Sequence, residues 1–107
     1  MFYKKAKLQR FLDEYIKEKR RVYPSAVEAH SEYLIHFVEQ CDKELYDLRM
    51  DDISDFQRFV QDRYTTRYHQ AAAMKAVSCF LRYYRHRGHK YLPTIQSNPH
   101  PKLVSFV

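Results

Sequence analysis

The sequence predicts an all-α fold built from four main helices. Apolar residues recur at helical spacing in four segments of the 107-residue chain. The only glycine is Gly88, whereas an all-β chain needs many tight turns. A hydrophobic share of 45% with 16% aromatic residues is enough for one core. We therefore expect a single helical domain.

The first two predicted helices are separated by Pro24. The first covers residues 3–20 and ends near this proline, which disfavours helical geometry in the residue before it. Its apolar face consists of Leu8, Phe11, Leu12, Tyr15 and Ile16. The second helix is predicted to start at Ser25, because Ser25 and Glu28 have the spacing of a capping box. Its apolar stripe consists of Val27, Leu34, Phe37, Val38 and Cys41.

The third predicted helix is short and follows an apolar connection over residues 42–50. We expect three residues of this connection to pack in the core, namely Leu45, Tyr46 and Leu48. The helix begins at Asp51 or Asp52, since either carboxylate can cap it and favour its positive N-terminal end. It ends around residue 63 or 64, and its buried side consists of Ile53, Phe56 and Val60.

The fourth predicted helix has one apolar side and one cationic side. Thr65 or Thr66 caps it, and it continues to Arg87, with Gly88 as a left-handed C-terminal stop. The apolar side consists of Ala73, Val77, Phe80 and Tyr84. At about 100° per residue, the opposite side consists of Arg67, Lys75, Ser78, Arg82, Arg85 and His86. Beyond Gly88, prolines at 93, 99 and 101 indicate a connector and not a packed element.

The net charge of +6 is unevenly distributed. Ten of the 13 carboxylates lie between Glu28 and Asp62, and residues 63–107 contain none. That acid-free segment contains Arg63, Arg67, Lys75, Arg82, Arg85, Arg87, Lys90 and Lys102. Cations confined to particular segments favour a polyanionic partner, the alternative being an ordinary solvated surface.

The cationic side of the fourth helix is the strongest candidate site. A helix fits the major groove of DNA, where cations along one edge reach phosphates and others read base edges. Arginine suits both tasks because its planar guanidinium binds phosphate or guanine through two hydrogen bonds. Thr65 and Thr66 add donors at a helix N-terminus, which itself attracts phosphate. The alternative is that these cations only keep an exposed face soluble.

No catalytic or metal-binding constellation is visible in the sequence. His86 and His89 lie on either side of the predicted helix stop, and His30 and His36 point in different directions on one helix. No glycine-rich phosphate loop, catalytic triad spacing or functional carboxylate pair occurs. We therefore expect a chain without cofactor or metal and without catalytic activity of its own.

The tyrosines and cysteines are interpreted as structural. Tyr15 and Tyr84 lie on apolar faces and are predicted to be core aromatics. Tyr83 is left open between a binding role, by stacking or by a bond to phosphate, and packing at the helix edge. Cys41 and Cys79 are predicted to be buried free thiols, with a disulfide as the less favoured alternative. No transmembrane stretch or signal peptide is visible, so we expect a soluble, cytoplasmic protein.

Several motifs occur in an order that extends over nearly the whole chain. They are LQRFLDEY (residues 8–15), SEYLIHF (31–37), LRMDDISDF (48–56), MKAVSCFLRYYRHRG (74–88) and Asn98-Pro99. This order resembles the core-binding, SAM-like N-terminal domain of phage integrases and other tyrosine recombinases. Each motif is mostly a set of apolar spacings, so the resemblance depends on their joint order.

The resemblance implies an orthogonal four-helix bundle over residues 1–88. Residues 89–107 would then be a connector toward a C-terminal catalytic domain that this chain lacks. The parent protein would be a prokaryotic site-specific recombinase that exchanges DNA strands and associates with the nucleoid. Its partners would be double-stranded DNA and other recombinase protomers, with no membrane and no small-molecule ligand.

The resemblance also implies that the second and fourth helices face the major groove. The DNA-contacting residues carried over on this basis are Thr66, Arg67, Lys75, Ser78, Arg82 and Arg85. Lys75 is the foremost of these, because it lies in the middle of the cationic side. The alternative function is a helical protein-interaction domain whose cations meet an acidic partner.

Overall fold

The computed structural model describes residues 6–95, and every regular element within this range is helical. The elements in chain order are α1 (Gln9–Arg20), α2 (Pro24–Gln40), a 3-10 turn (Leu45–Asp47), α3 (Met50–Arg63) and α4 (Arg67–Arg85). The predicted all-α class with four main helices is confirmed.

Helix α1 begins later than residue 3. Residues 6–8 are not helical, and residues 3–5 lie outside the described range. The backbone N–H of Lys7 donates to the Asp42 carboxylate at 2.9 Å, and that of Gln9 donates to the Ala6 carbonyl at 3.0 Å. Asp42 thus binds the backbone of the non-helical segment that precedes α1.

The predicted capping box at the start of α2 is wrong. Pro24 is the first helical residue and Tyr23 is the N-cap, with no capping bond from its side chain. Ser25 therefore lies inside the first turn and cannot act as a cap. Proline is favoured at this first position because its fixed φ suits the helix and its missing N–H would have no partner there.

Helix α3 starts at Met50, one residue before Asp51 and two before Asp52, the two predicted starts. Arg49 is the N-cap, and Asp52 occupies the third helical position. The Asp52 carboxylate accepts a hydrogen bond from the backbone N–H of Arg49 at 2.9 Å and pairs with Lys43 Nζ at 2.9 Å. Asp52 thus stabilises the start of the helix by reaching back to the N-cap.

Both predicted end signals of α4 are confirmed, although its last helical residue is Arg85 and not Arg87. Thr66 is the N-cap, and its hydroxyl accepts a hydrogen bond from the backbone N–H of His69 at 3.3 Å. Gly88 has a φ of +108°. The amides of Gly88 and His89 donate to the carbonyls of Arg85 and Tyr84, as in a Schellman termination.

The core lies where α2 packs against α1 and α4, with α3 beside α4. The Phe80 ring lies 5.3 Å from the Tyr15 ring and 6.3 Å from the Phe37 ring, between ring centroids. The predicted core residues that are buried include Leu8, Leu12, Val27, Leu34, Phe37, Val38, Leu45, Leu48, Ile53, Phe56, Val60, Ala73, Val77, Phe80 and Tyr84. Phe11 and Ile16 are partly buried against this core.

Two core predictions are wrong. Tyr46 is 61% exposed, because the 3-10 turn directs Leu45 inward and Tyr46 outward. The segment after Gly88 is not wholly unpacked, since Leu92 is buried and Ile95 packs against the core. The rest of the predicted connector, including Asn98-Pro99, lies outside the described residues.

Candidate nucleic-acid interface

The exposed side of α4 carries three exposed cations, Arg67, Lys75 and Arg82. Within residues 6–95, no carboxylate lies within ion-pairing distance of these three side chains. The helix itself contains no Asp or Glu. The charge of this side is therefore not neutralised by neighbouring acidic groups in the described part of the chain.

Ser78 and Arg85 are less accessible than the other predicted contact residues. Both are half-buried. The Arg85 guanidinium donates a hydrogen bond to the Pro93 carbonyl at 2.8 Å. The segment that returns from Gly88 onto the core therefore occupies one of the five N–H groups of Arg85 and leaves the others for further partners.

Helix α2 lies beside the cationic side of α4, and the two helices run in opposite directions there. The Tyr33 hydroxyl and His69 Nδ1 are 2.9 Å apart, while farther along α4 Lys75 lies close to His30. His30 is half-buried. Burial first, and the positive charge of Lys75 second, lower the pKa of His30. The edge of α2 thus adds an imidazole to this face.

The structure also brings together cations that the sequence prediction did not include. Lys19 of α1 and Arg87 lie against Tyr83, with Lys19 Nζ at 5.5 Å and Arg87 Cζ at 4.4 Å from its ring centroid. In the sequence, Lys19 belongs to a basic run at the end of α1 and Arg87 to the acid-free segment. The sequence pattern therefore identified Lys19 and Arg87 as parts of basic segments, but it did not predict that they lie beside Tyr83.

Tyr83 is a half-buried ring at the edge of the core. It packs edge to face on Tyr15 and Tyr84, with centroid distances of 5.1 and 4.9 Å. Burial raises the pKa of Tyr83, and the carboxylates of Glu18 and Glu14 act in the same direction, against Arg87. The packing interpretation of Tyr83 is thus confirmed, and phosphate contact stays a prediction.

Two cavities open beside Tyr83 and α2. The cationic cavity, of about 520 Å³, is lined by Lys19, Cys79, Arg82, Tyr83, His86 and Arg87. The apolar cavity, of about 180 Å³, lies between α1, α2 and α4, and Lys19 and Cys79 line it as well. Its other lining residues include Tyr15, Tyr23, Ala26, Val27, His30 and Leu34.

The two cysteines are free thiols, but only Cys41 is buried as predicted. Burial, reinforced by Asp52, raises the pKa of Cys41 to about 12. Cys79 is half-buried, because it lies at the border of the two cavities. Among residues 6–95, no group of three or more histidine, cysteine or acidic side chains has the arrangement of a metal site.

Comparison with known proteins does not place the chain in a family. No family model matches it, and neither a curated protein nor a solved structure matches it significantly. In the described range, no helix has the length and apolar character needed to cross a bilayer.

Proposed function

We propose that this chain binds duplex DNA through the exposed side of α4. The observation that carries the proposal is the set of cations Arg67, Lys75 and Arg82, exposed and without a carboxylate partner in the described residues. Unpaired cations on a rigid helix neutralise phosphates and release condensed counterions, which provides most of the affinity in nonspecific DNA binding.

The spacing of these cations suits a groove. Lys75 and Arg82 are seven residues apart on one side of α4, or about 10 Å along the axis at the rise of an α-helix. The major groove is about 12 Å wide, so one helix can reach its floor and the phosphates at its margin. The hydroxyls of Thr66 and Ser78 and the remaining N–H groups of Arg85 supply further donors to phosphate or base edges.

We further propose that the chain is the core-binding domain of a tyrosine recombinase. What supports this is the joint order of the motifs together with four helices whose second and fourth members lie side by side. Strand cleavage and exchange would then belong to a separate catalytic domain. The partners would be duplex DNA and other recombinase protomers.

Fluorescence anisotropy of a labelled duplex of about 30 base pairs, titrated with the protein at several salt concentrations, tests DNA binding. We expect micromolar affinity and a steep salt dependence, with the logarithm of the association constant falling by about 0.9 per phosphate contact for each logarithmic unit of salt. Absence of binding at low salt would contradict the proposal and favour an acidic protein partner for the same face.

A further inference from the structure

The apolar and cationic cavities are adjacent, since Lys19 and Cys79 line both. The apolar cavity is lined mainly by aromatic and aliphatic residues, and three of the residues that line the cationic cavity are Lys19, Arg82 and Arg87. None of the described residues that line either cavity is a carboxylate. A ligand that fits both must therefore join an apolar body to an anionic group.

The apolar cavity suits a flat ring. Its volume of about 180 Å³ compares with the ~150 Å³ of an engineered apolar cavity that admits benzene. Tyr23 and His30 contribute ring surfaces to its lining, and Tyr23 is 58% exposed, so a planar ligand can reach it. Nucleobases stack on such aromatic side chains with little dependence on base identity.

The cationic cavity suits a phosphate. Arg82 and Arg87 each present a guanidinium, which binds phosphate through two parallel hydrogen bonds. The Arg87 guanidinium lies over the Tyr83 ring, and Lys19 lies over the same ring. This aromatic support holds both cations near one place. Glu14 and Glu18 act electrostatically on Tyr83 but do not line the cavity.

We propose that the two cavities form one site for a single unpaired nucleotide, with its base in the apolar cavity and its phosphate in the cationic cavity. The nucleotide is one that leaves the stack of a bound DNA duplex. The inference rests on the proposed function, because the nucleotide is supplied by the DNA duplex that the chain is proposed to bind. Pockets that receive an extrahelical base by stacking are a known solution in DNA-binding proteins, and a base that is already unpaired enters at least cost.

Two labelled duplexes of identical sequence test the proposal, one fully paired and one carrying a single bulged nucleotide. Stacking of a base on an aromatic side chain corresponds to about tenfold in affinity, so we expect the protein to bind the bulged duplex about tenfold more tightly. Equal affinity for the two duplexes would overturn the inference and leave the proposed DNA-binding function intact.

The Tyr23→Ala variant tests whether the preference for the bulged duplex arises in the apolar cavity. Tyr23 lines the apolar cavity and is not one of the cationic residues of α4, so paired-duplex affinity should stay unchanged while the preference for the bulge disappears. Tyr46→Ala is the matched control, because Tyr46 is a tyrosine of similar exposure, 61%, on the 3-10 turn. A bulge preference that survives Tyr23→Ala, or that is lost equally in Tyr46→Ala, would contradict the site.

A free deoxynucleoside 5′-monophosphate, with inorganic phosphate as its control, separates the two possible failures. Displacement of the bulged duplex by the nucleotide but not by phosphate supports a site that needs both base and phosphate. Nucleotide binding without binding of either duplex would support the site and contradict the proposed function. Absence of binding by the nucleotide and by both duplexes would overturn both proposals.

Discussion

Lys75 and Arg82 differ from Arg85 in what their side chains already bind. Arg85 donates to the Pro93 carbonyl, whereas Lys75 and Arg82 are exposed and have no ion-pair partner in the described residues. A phosphate can therefore approach Lys75 and Arg82 without breaking an internal bond. This difference ranks Lys75 and Arg82 above Arg85, whereas the sequence pattern did not separate Arg82 from Arg85.

Lys75→Ala and Arg82→Ala are each expected to weaken duplex binding about tenfold at low salt, the effect of losing one charged hydrogen bond. Each substitution should also make the salt slope shallower by about 1. Arg58→Ala is the control, because Arg58 is an exposed arginine of α3. Anisotropy titrations measure the affinities, and thermal unfolding should show no loss of stability. Wild-type affinity in both α4 variants would contradict the assigned face.

The titration of His30 reports the approach of α2 to α4. Its pKa is lowered by burial and by Lys75, so the folded state favours the neutral imidazole. The resulting contribution to stability is present above the unfolded pKa, about 6.5, and is lost as the pH falls through the lower folded pKa.

Lys75→Ala is expected to raise the pKa of His30 toward its ordinary value, because it removes the second of the two causes while burial stays. NMR titration of the histidine ring protons measures this shift, and His89, beside Tyr91, is the internal reference. An unchanged pKa of His30 in the variant would mean that Lys75 does not lie close to His30 in solution.

Helix ends illustrate which local signals decide where an element stops. Thr66, one of the two predicted caps of α4, and Gly88, its predicted C-terminal stop, act as the sequence predicts. At the start of α2, Pro24 takes the first helical position and displaces the cap expected at Ser25. At the start of α3, Asp52 is the third helical residue, and its carboxylate accepts a hydrogen bond from the backbone N–H of Arg49. The helix therefore begins before Asp52.

Gly88→Ala is expected to destabilise the protein by about 1–3 kcal/mol, the cost of a sparsely populated backbone conformation. A Cβ at this position would meet no atom within 4 Å, so the penalty comes from the φ of +108° alone. Lys90→Ala is the control, because it introduces the same side chain at an exposed residue of ordinary φ. Chemical denaturation gives both free energies, and equal values would show that Gly88 does not terminate α4 in this conformation.

The whole molecule depends on one set of packed rings that joins the helices. Phe80 of α4 contacts Tyr15 of α1 and lies near Phe37 of α2, which packs on Phe56 of α3 with a centroid distance of 5.2 Å. The same helix that faces outward with Lys75 and Arg82 is thus held rigidly by its inner side. Stability and the proposed DNA contact therefore reside on opposite sides of α4.

Phe80→Ala is expected to lower the free energy of unfolding by about 3–5 kcal/mol, as for other buried phenylalanines that leave a cavity. Urea denaturation followed by circular dichroism measures this loss. Phe59→Ala, at a partly buried ring of α3, should cost less. A loss below about 1 kcal/mol for Phe80 would mean that α4 packs with a different side inward.

The sequence by itself determined the all-α class, the four helices, most of the core residues, and the cationic side of α4. These features follow from helical periodicity and from signals within a few neighbouring residues, which are local. The displaced cap at Pro24 was missed because two local preferences competed there. The outward position of Tyr46 was missed because the 3-10 turn decides which of its side chains faces the core.

Only the tertiary structure decided which distant residues meet. It placed Lys19 of α1 and Arg87 against the Tyr83 ring, brought His30 of α2 close to Lys75 of α4, and buried Leu92 against the core. The apolar and cationic cavities arise from the same packing. Such contacts depend on how the helices cross, and the apolar pattern of each helix specifies which side is buried but not which partner covers it.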